Sequence, residues 1–210
     1  MLIEKESLRI FLSPAYADLS SDTVLEKFWN MKGSIFEIIP KTCFKKCYWS
    51  NLPRTKYAVF SYQWKSKLGH IAKFVFGEDN SPNPIQSDWI WLDLTCLNQL
   101  DDNRMTTIQR SDEIYYYATE YHLMEVGSLS RGWVLFELSS VPKDKLPTTH
   151  FTTSDADMLD MAKETFKTEG FEGSEFTKES DRILVRCKII QKYGDISSFN
   201  NKIAEIVDKL

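Results

Sequence analysis

The sequence predicts an α/β domain, with parallel strands, helices packed on both faces, and further helices at the C-terminus. Three observations predict it. Short apolar runs alternate with longer helical patterns between residues 55 and 141, and strand-helix alternation builds parallel sheets. The run Asp88-Trp89-Ile90-Trp91-Leu92-Asp93 has no polar residue in its middle, as expected of a strand buried on both faces. The chain of 210 residues is 42% hydrophobic and 13% aromatic, enough apolar material for a real core and against disorder.

The elements follow in chain order. Thr23-Val24-Leu25-Glu26 reads as a capping box opening a short helix, since Thr and Glu can each satisfy a free backbone donor. Ile35-Phe36-Glu37-Ile38-Ile39 reads as a strand, and Lys41 to Lys46 as a solvated turn. Tyr57-Ala58-Val59-Phe60-Ser61-Tyr62 is a short apolar and aromatic run, the mark of a buried strand. Ser66 to Gly77 repeats Leu68, Ile71, Ala72 and Val75 at helical spacing, and the loop Asn80-Ser81-Pro82-Asn83-Pro84 closes it. After the strand at Asp88–Asp93, a helix is expected over Arg104–Ala118, carrying Met105, Ile108, Ile114 and Tyr115. Tyr121-His122-Leu123-Met124 is a further strand, Gly127 and Ser128 break it, and a helix follows from Ser130 to Val141. A short strand near His150-Phe151-Thr152 completes the sheet. The tail predicts helices over Asp155–Phe166 (face Met158, Leu159, Ala162, Phe166), Asp181–Tyr193 (stripe Ile183, Leu184, Cys187, Ile190) and Ile196–Leu210. Residues 1–54 are read as an extension packed on the domain, 55–153 as its core, and 154–210 as its helical end.

Composition excludes several functions. Net charge is −4 and the pI is near 5.5, so no basic excess exists to neutralise phosphates, and neither nucleic acid nor a membrane surface is expected as partner. The first residues have no continuous apolar stretch like that of a signal peptide. No apolar run reaches the roughly 18 residues of a transmembrane helix. Cys43, Cys47, Cys96 and Cys187 are scattered, without the second pair or nearby histidine of a zinc set, so no metal is expected. Reduced thiols in a cytoplasm are the default. No Gly-x-Gly-x-x-Gly, Walker loop or Gly-x-Ser-x-Gly elbow occurs, which disfavours dinucleotide oxidoreductases, P-loop NTPases and serine hydrolases. His122, in an apolar strand, reads as a satisfied core residue.

The block with most chemistry is Ser130-Arg131-Gly132-Trp133-Val134-Leu135-Phe136-Glu137-Leu138. On a helix, Trp133 and Glu137 share a face one turn apart. Burying a carboxylate beside a ring raises its pKa unless partners hold its charge, an expense concentrated at functional sites. The competing reading is a partly exposed glutamate on an amphipathic helix, with Trp133 as core anchor.

Ser130, Trp133, Glu137 and Leu138, in the pattern Ser-x-x-Trp-x-x-x-Glu-Leu, resemble the segment of Toll/interleukin-1 receptor (TIR) domains that holds their catalytic glutamate. Where that family often has Cys, this chain has Val134. Phe60-Ser61-Tyr62-Gln63-Trp64 resembles the Ser-Tyr-x-Trp signature of the TIR-like heterokaryon-incompatibility domains, with Lys65 in place of the usual glycine. Trp89-Ile90-Trp91-Leu92-Asp93-Leu94-Thr95-Cys96-Leu97-Asn98-Gln99 resembles their Trp-Ile-Asp-x-x-Cys-Ile-Asn-Gln block, with one residue more before the Asp. The resemblance spans about residues 55 to 141, well under half the chain. It implies a flavodoxin-like parallel sheet and an enzyme that cleaves NAD as substrate, with no cofactor, in immune or cell-death signalling, active as a homo-oligomer. The alternative it carries is a non-catalytic adaptor domain.

The implied chemistry needs one acid. Nicotinamide leaves NAD as a neutral molecule, and the ribosyl oxocarbenium ion is stabilised by a fixed carboxylate. Glu137 takes that role. Tyr62 and Trp64 would stack on the nucleotide, Trp133 would wall the pocket, and Ser61 would hydrogen-bond a phosphate or ribose, with core packing as the alternative for the aromatics. Asp93 and Asn98 would orient the ribose or simply satisfy their own loop.

Overall fold

A computed structural model describes residues 1–24, 39–78, 84–96, 104–145, 148–149 and 155–210. Six strands form one mixed sheet: β1 (Leu2–Glu4), β2 (Phe44–Lys45), β3 (Ala58–Ser61), β4 (Trp89–Trp91), β5 (Glu120–Leu123) and β6 (Thr148–Thr149), in the spatial order β2-β1-β4-β3-β5-β6. The last four strands of that order run parallel: β3 pairs with β4 and with β5, and β5 with β6. The wholly parallel sheet expected from the sequence is corrected at one edge, where β1 lies antiparallel to both β4 and β2. These two strands come from the N-terminal segment. At three and two residues they are too short to show an alternation in the sequence.

The sheet is covered on both faces. Val59, Ser61, Trp91 and Tyr121 share one face by strand register and alternation. Ala58, Phe60, Ile90 and His122 share the other. Helix α1 (Leu68–Phe76) covers the second face: the Phe74 ring meets Phe60 at 5.6 Å and His122 at 6.2 Å. Gly77 ends α1 in the left-handed conformation, φ 72°, and its N–H returns to the Phe74 carbonyl. The first face takes the helices that follow β4 and β5. These are α2 (Asp93–Cys96), α3 (Arg104–Gln109), α4 (Ser111–Tyr117) and α5 (Gly132–Ser140). Tyr115 of α4 lies edge-on to both Trp91 and Tyr121 at 5.6 Å. All four residues of β3 are buried as a result.

The helix expected over Arg104–Ala118 is broken at Arg110, whose backbone (φ −106°, ψ 16°) leaves the helical region. The freed carbonyls of Ile108 and Gln109 receive the ammonium of Lys188. That lysine belongs to the C-terminal set α6 (Ala156–Glu169), α7 (Glu179–Tyr193) and α8 (Ile196–Val207). Asp195 caps α8 by accepting from the Ser198 N–H at 2.7 Å. Phe199, Ile203 and Ile206 bury its apolar face.

One expected stripe faces the wrong way. On α7 the buried residues are Val185, Lys188 and Ile189, while Ile183 and Ile190 are 56% and 46% exposed. Lys188 explains it. The side chain is buried on the inner face, with its ammonium over the Phe136 ring and 3.6 Å from Asp112, so a lysine takes the place an apolar residue would. On α6 the expected face holds for Leu159, Ala162 and Phe166, which pack on the core, while Met158 points outward.

At the N-terminal end, a helical turn spans 21–24, and the Ser20 hydroxyl accepts from the Thr23 N–H at 3.2 Å. Ser20, rather than Thr23, is the cap. Most of the expected strand at 35–39, the loop at 80–84 and the strand at 150–152 lie outside the described residues.

Candidate functional site

The carboxyl ends of the parallel strands gather most of the polar side chains singled out in the sequence. From β3 the chain proceeds to β4 on one side, and β5 takes the other, so the strand order reverses beside β3. Loops at such a reversal splay apart and leave a crevice. Ser61 ends β3, Asp93 follows β4, and Glu125 follows β5.

Glu137 reaches this edge from α5. It is half-buried, and the Ser61 hydroxyl donates to its Oε2 at 2.5 Å. The Tyr121 hydroxyl lies 3.1 Å from Ser61 Oγ, and Tyr115 hydrogen-bonds the Glu137 carboxyl as well. Burial pushes the Glu137 carboxyl up to about 8. The Asp93 charge adds to the rise, and the Ser61 and Tyr115 hydroxyls with the Arg131 charge oppose it. The competing reading, a partly exposed glutamate with Trp133 as core anchor, matches its half-buried position and the packing of Trp133, but does not account for its hydrogen-bonded, raised carboxyl. Burial, reinforced for both by the Glu137 charge, holds the Tyr115 and Tyr121 phenols far above their usual range, so both stay protonated donors.

Asp93 forms the second cluster. The Tyr62 hydroxyl donates to one carboxylate oxygen at 2.7 Å, and the Trp64 indole N–H to the other at 2.6 Å. The Leu94 N–H adds a third bond at 2.6 Å. Burial raises the Asp93 carboxyl, while these donors and Arg131 pull it down. Ser21 donates to the Tyr62 oxygen at 3.3 Å, tying the N-terminal segment to the site. A third carboxylate, Glu125, accepts from the Gln63 N–H at 3.2 Å and from the Ser66 hydroxyl, clasping the loop after β3 to the loop after β5. The Gln63 amide packs directly against Gly127, where a Cβ would push it aside.

Ser61, Tyr62, Trp64, Asp93 and Glu137 are thus brought together. Asn98 lies outside the described residues. Trp133 sits one turn before Glu137, partly exposed and packed against the core. The residues not foreseen are Tyr115, Tyr121 and Arg131. Tyr121 carries no signal beyond apolar spacing, and Tyr115 only its place, with Gln109, Ile114 and Ala118, in the helix expected after the second motif. Arg131 could have been found, because it stands inside the Ser130–Leu138 block, directly before α5.

Aromatic faces, two acids of differing character and one guanidinium suit a polar ligand carrying both a ring and hydroxyl groups. Among the described residues no group of three His, Cys, Asp or Glu gathers to hold a metal, and no helix is long and apolar enough to cross a membrane. No protein-family model, curated protein or solved structure matches this chain.

Proposed function

We propose that the chain is a TIR-like enzyme that cleaves NAD at the nicotinamide–ribose bond, with Glu137 as the catalytic acid group. The observation that carries this reading is the half-buried Glu137 carboxyl beside Ser61, at the carboxyl end of β3 where the strand order reverses. Numbered among themselves, the parallel strands run second, first, third, fourth. That is the start of the flavodoxin-like order, and it supports the TIR-like reading.

A carboxyl that titrates near 8 is mostly neutral at pH 7. NAD brings a pyridinium cation, and a cation placed beside the group favours its ionised form. Substrate binding therefore generates the carboxylate where the ribosyl cation develops. Nicotinamide departs with the bonding electrons, and water or a hydroxyl of the same nucleotide captures the ribosyl carbon, passing its proton to the Glu137 carboxylate. Trp64, fixed by Asp93, offers a ring for stacking, and Arg131 a charge for the pyrophosphate. Assembly into a homo-oligomer would complete the mouth of the site.

A second reading has its own support. Asp93 is satisfied by three donors within the chain, and Glu137 by two hydroxyls. A closed polar network of this kind also suits a non-catalytic domain that assembles with its own kind. Nicotinamide release by wild type and by Glu137→Ala separates the two. Release that falls at least about a hundredfold in a folded variant supports catalysis. A wild type that releases none, alone or assembled, supports the adaptor.

A further inference from the structure

The amino edge of the sheet, at the opposite end from Glu137, carries a concentration of positive charge that the acidic chain does not otherwise predict. Two cavities open there and share Pro142 and Lys145 as a common wall. The larger has a volume of about 470 Å³, within the range of roughly 300 to 1,000 Å³ that holds small ligands. Arg54, Lys56 and Lys145 line it, and Lys143, Lys202 and Lys209 surround the smaller one. Against these six cations stand Asp144 and Glu205. Among the described residues none of the six forms an ion pair. At Lys202 burial first, then Lys143 and Lys209, lower the ammonium, and Glu205 opposes them.

The larger cavity also has an aromatic wall. Tyr116 is 52% exposed, and the Tyr117 ring braces it edge-on at 5.0 Å. A large ring held in place yet left open to solvent is a stacking surface for a nucleobase. Thr55 and Thr119 also line it, their hydroxyls donating to the Asn51 and Tyr57 carbonyls.

We propose that this groove binds a nucleoside polyphosphate, with the base against Tyr116 and the phosphates on the lysine cluster around Lys145 and Lys202. The site is separate from the Glu137 cluster and does not depend on the reading given for it. Its ligand is held by charge and stacking, so affinity falls as salt rises.

Calorimetric titration with ATP, inorganic triphosphate and adenosine tests the proposal on wild type, Tyr116→Ala, Lys145→Gln/Lys202→Gln and Glu137→Ala, with thermal melts to confirm folding. ATP binding should weaken at least tenfold in the lysine double variant and about fivefold in Tyr116→Ala, and should be unchanged in Glu137→Ala. Triphosphate should bind more weakly than ATP and be indifferent to Tyr116→Ala. The proposal is overturned by triphosphate binding as tightly as ATP, by ATP binding that survives the lysine changes or is lost only in Glu137→Ala, or by no ATP binding at millimolar concentration.

Discussion

Glu120 and Glu137 occupy opposite ends of the same domain, and their surroundings drive them apart. Glu120 starts β5 at the amino edge. Burial raises its carboxyl, but His122, the Ser87 hydroxyl and the Gln86 N–H outweigh that and bring it to about 2. Glu137 has two hydroxyl donors and a neighbouring acid, and burial wins, taking it to about 8. Burial raises both carboxyls, and Glu137 lies the deeper of the two. The supply of donors widens the gap. A fully supplied carboxylate is a clasp: Glu120 fastens the 86–87 segment to β5. An undersupplied carboxylate is left ready for an incoming cation.

The largest expected difference between the two lies in activity. Glu137→Ala should lower nicotinamide release from NAD by about 10²- to 10³-fold, equivalent to about 3–4 kcal/mol. Glu120→Ala should leave release per folded molecule unchanged. Equal losses in the two variants would erase the distinction.

Stability should show the reverse order. Removing the Glu120 carboxylate takes an acceptor from the buried His122 ring and from the half-buried Ser87 hydroxyl, and urea unfolding should show a loss of about 1–2 kcal/mol. Glu137→Gln keeps the shape of a group that is already mostly neutral at pH 7, so its cost there should be smaller.

The pH dependences run in opposite directions. Glu137 is raised in the fold, so the native state holds its proton longer than the unfolded chain. Stability is lost as pH climbs from about 4.5 to about 8, by a few kcal/mol at most since the group is only half-buried. Glu137→Gln should remove that loss. Glu120 is lowered in the fold, so its contribution is present above the ordinary glutamate range and disappears as pH falls toward 2. Glu120→Gln should flatten the acid limb alone. For the proposed NAD cleavage, kcat/KM should rise with pH until about 8, the value for free Glu137.

The smallest effect belongs to the aromatic partner of Asp93. Trp64→Phe deletes the indole N–H and should cost about 1 kcal/mol. It also raises the Asp93 carboxyl further, and with less negative charge nearby, Glu137 should titrate lower. A Glu137 midpoint that does not move would show that the two acids are not coupled.

Much of this was legible in the sequence where residues report directly on their neighbours. The apolar runs around Phe60, Ile90 and Tyr121 marked β3, β4 and β5, because strands covered on both faces must be apolar throughout. Glu137 stood out as the one acid within the apolar helix. The donors around it did not, because Tyr115 and Tyr121 read as ordinary core residues until the fold turns their hydroxyls inward. The antiparallel edge was hidden by the brevity of β1 and β2. Lys188 misled the reading of α7: a lysine reads as solvent-facing, yet its ammonium closes the broken end of α3, which turned Ile183 and Ile190 outward.

The most direct measurement follows the two carboxyl carbons. Carbon-13 NMR of protein labelled at the glutamate side-chain carboxyl, titrated from pH 2 to 10, should show Glu137 changing near 8 and Glu120 only at the acid extreme, each assigned by its Gln variant. A Glu137 midpoint among those of the exposed glutamates would contradict the account.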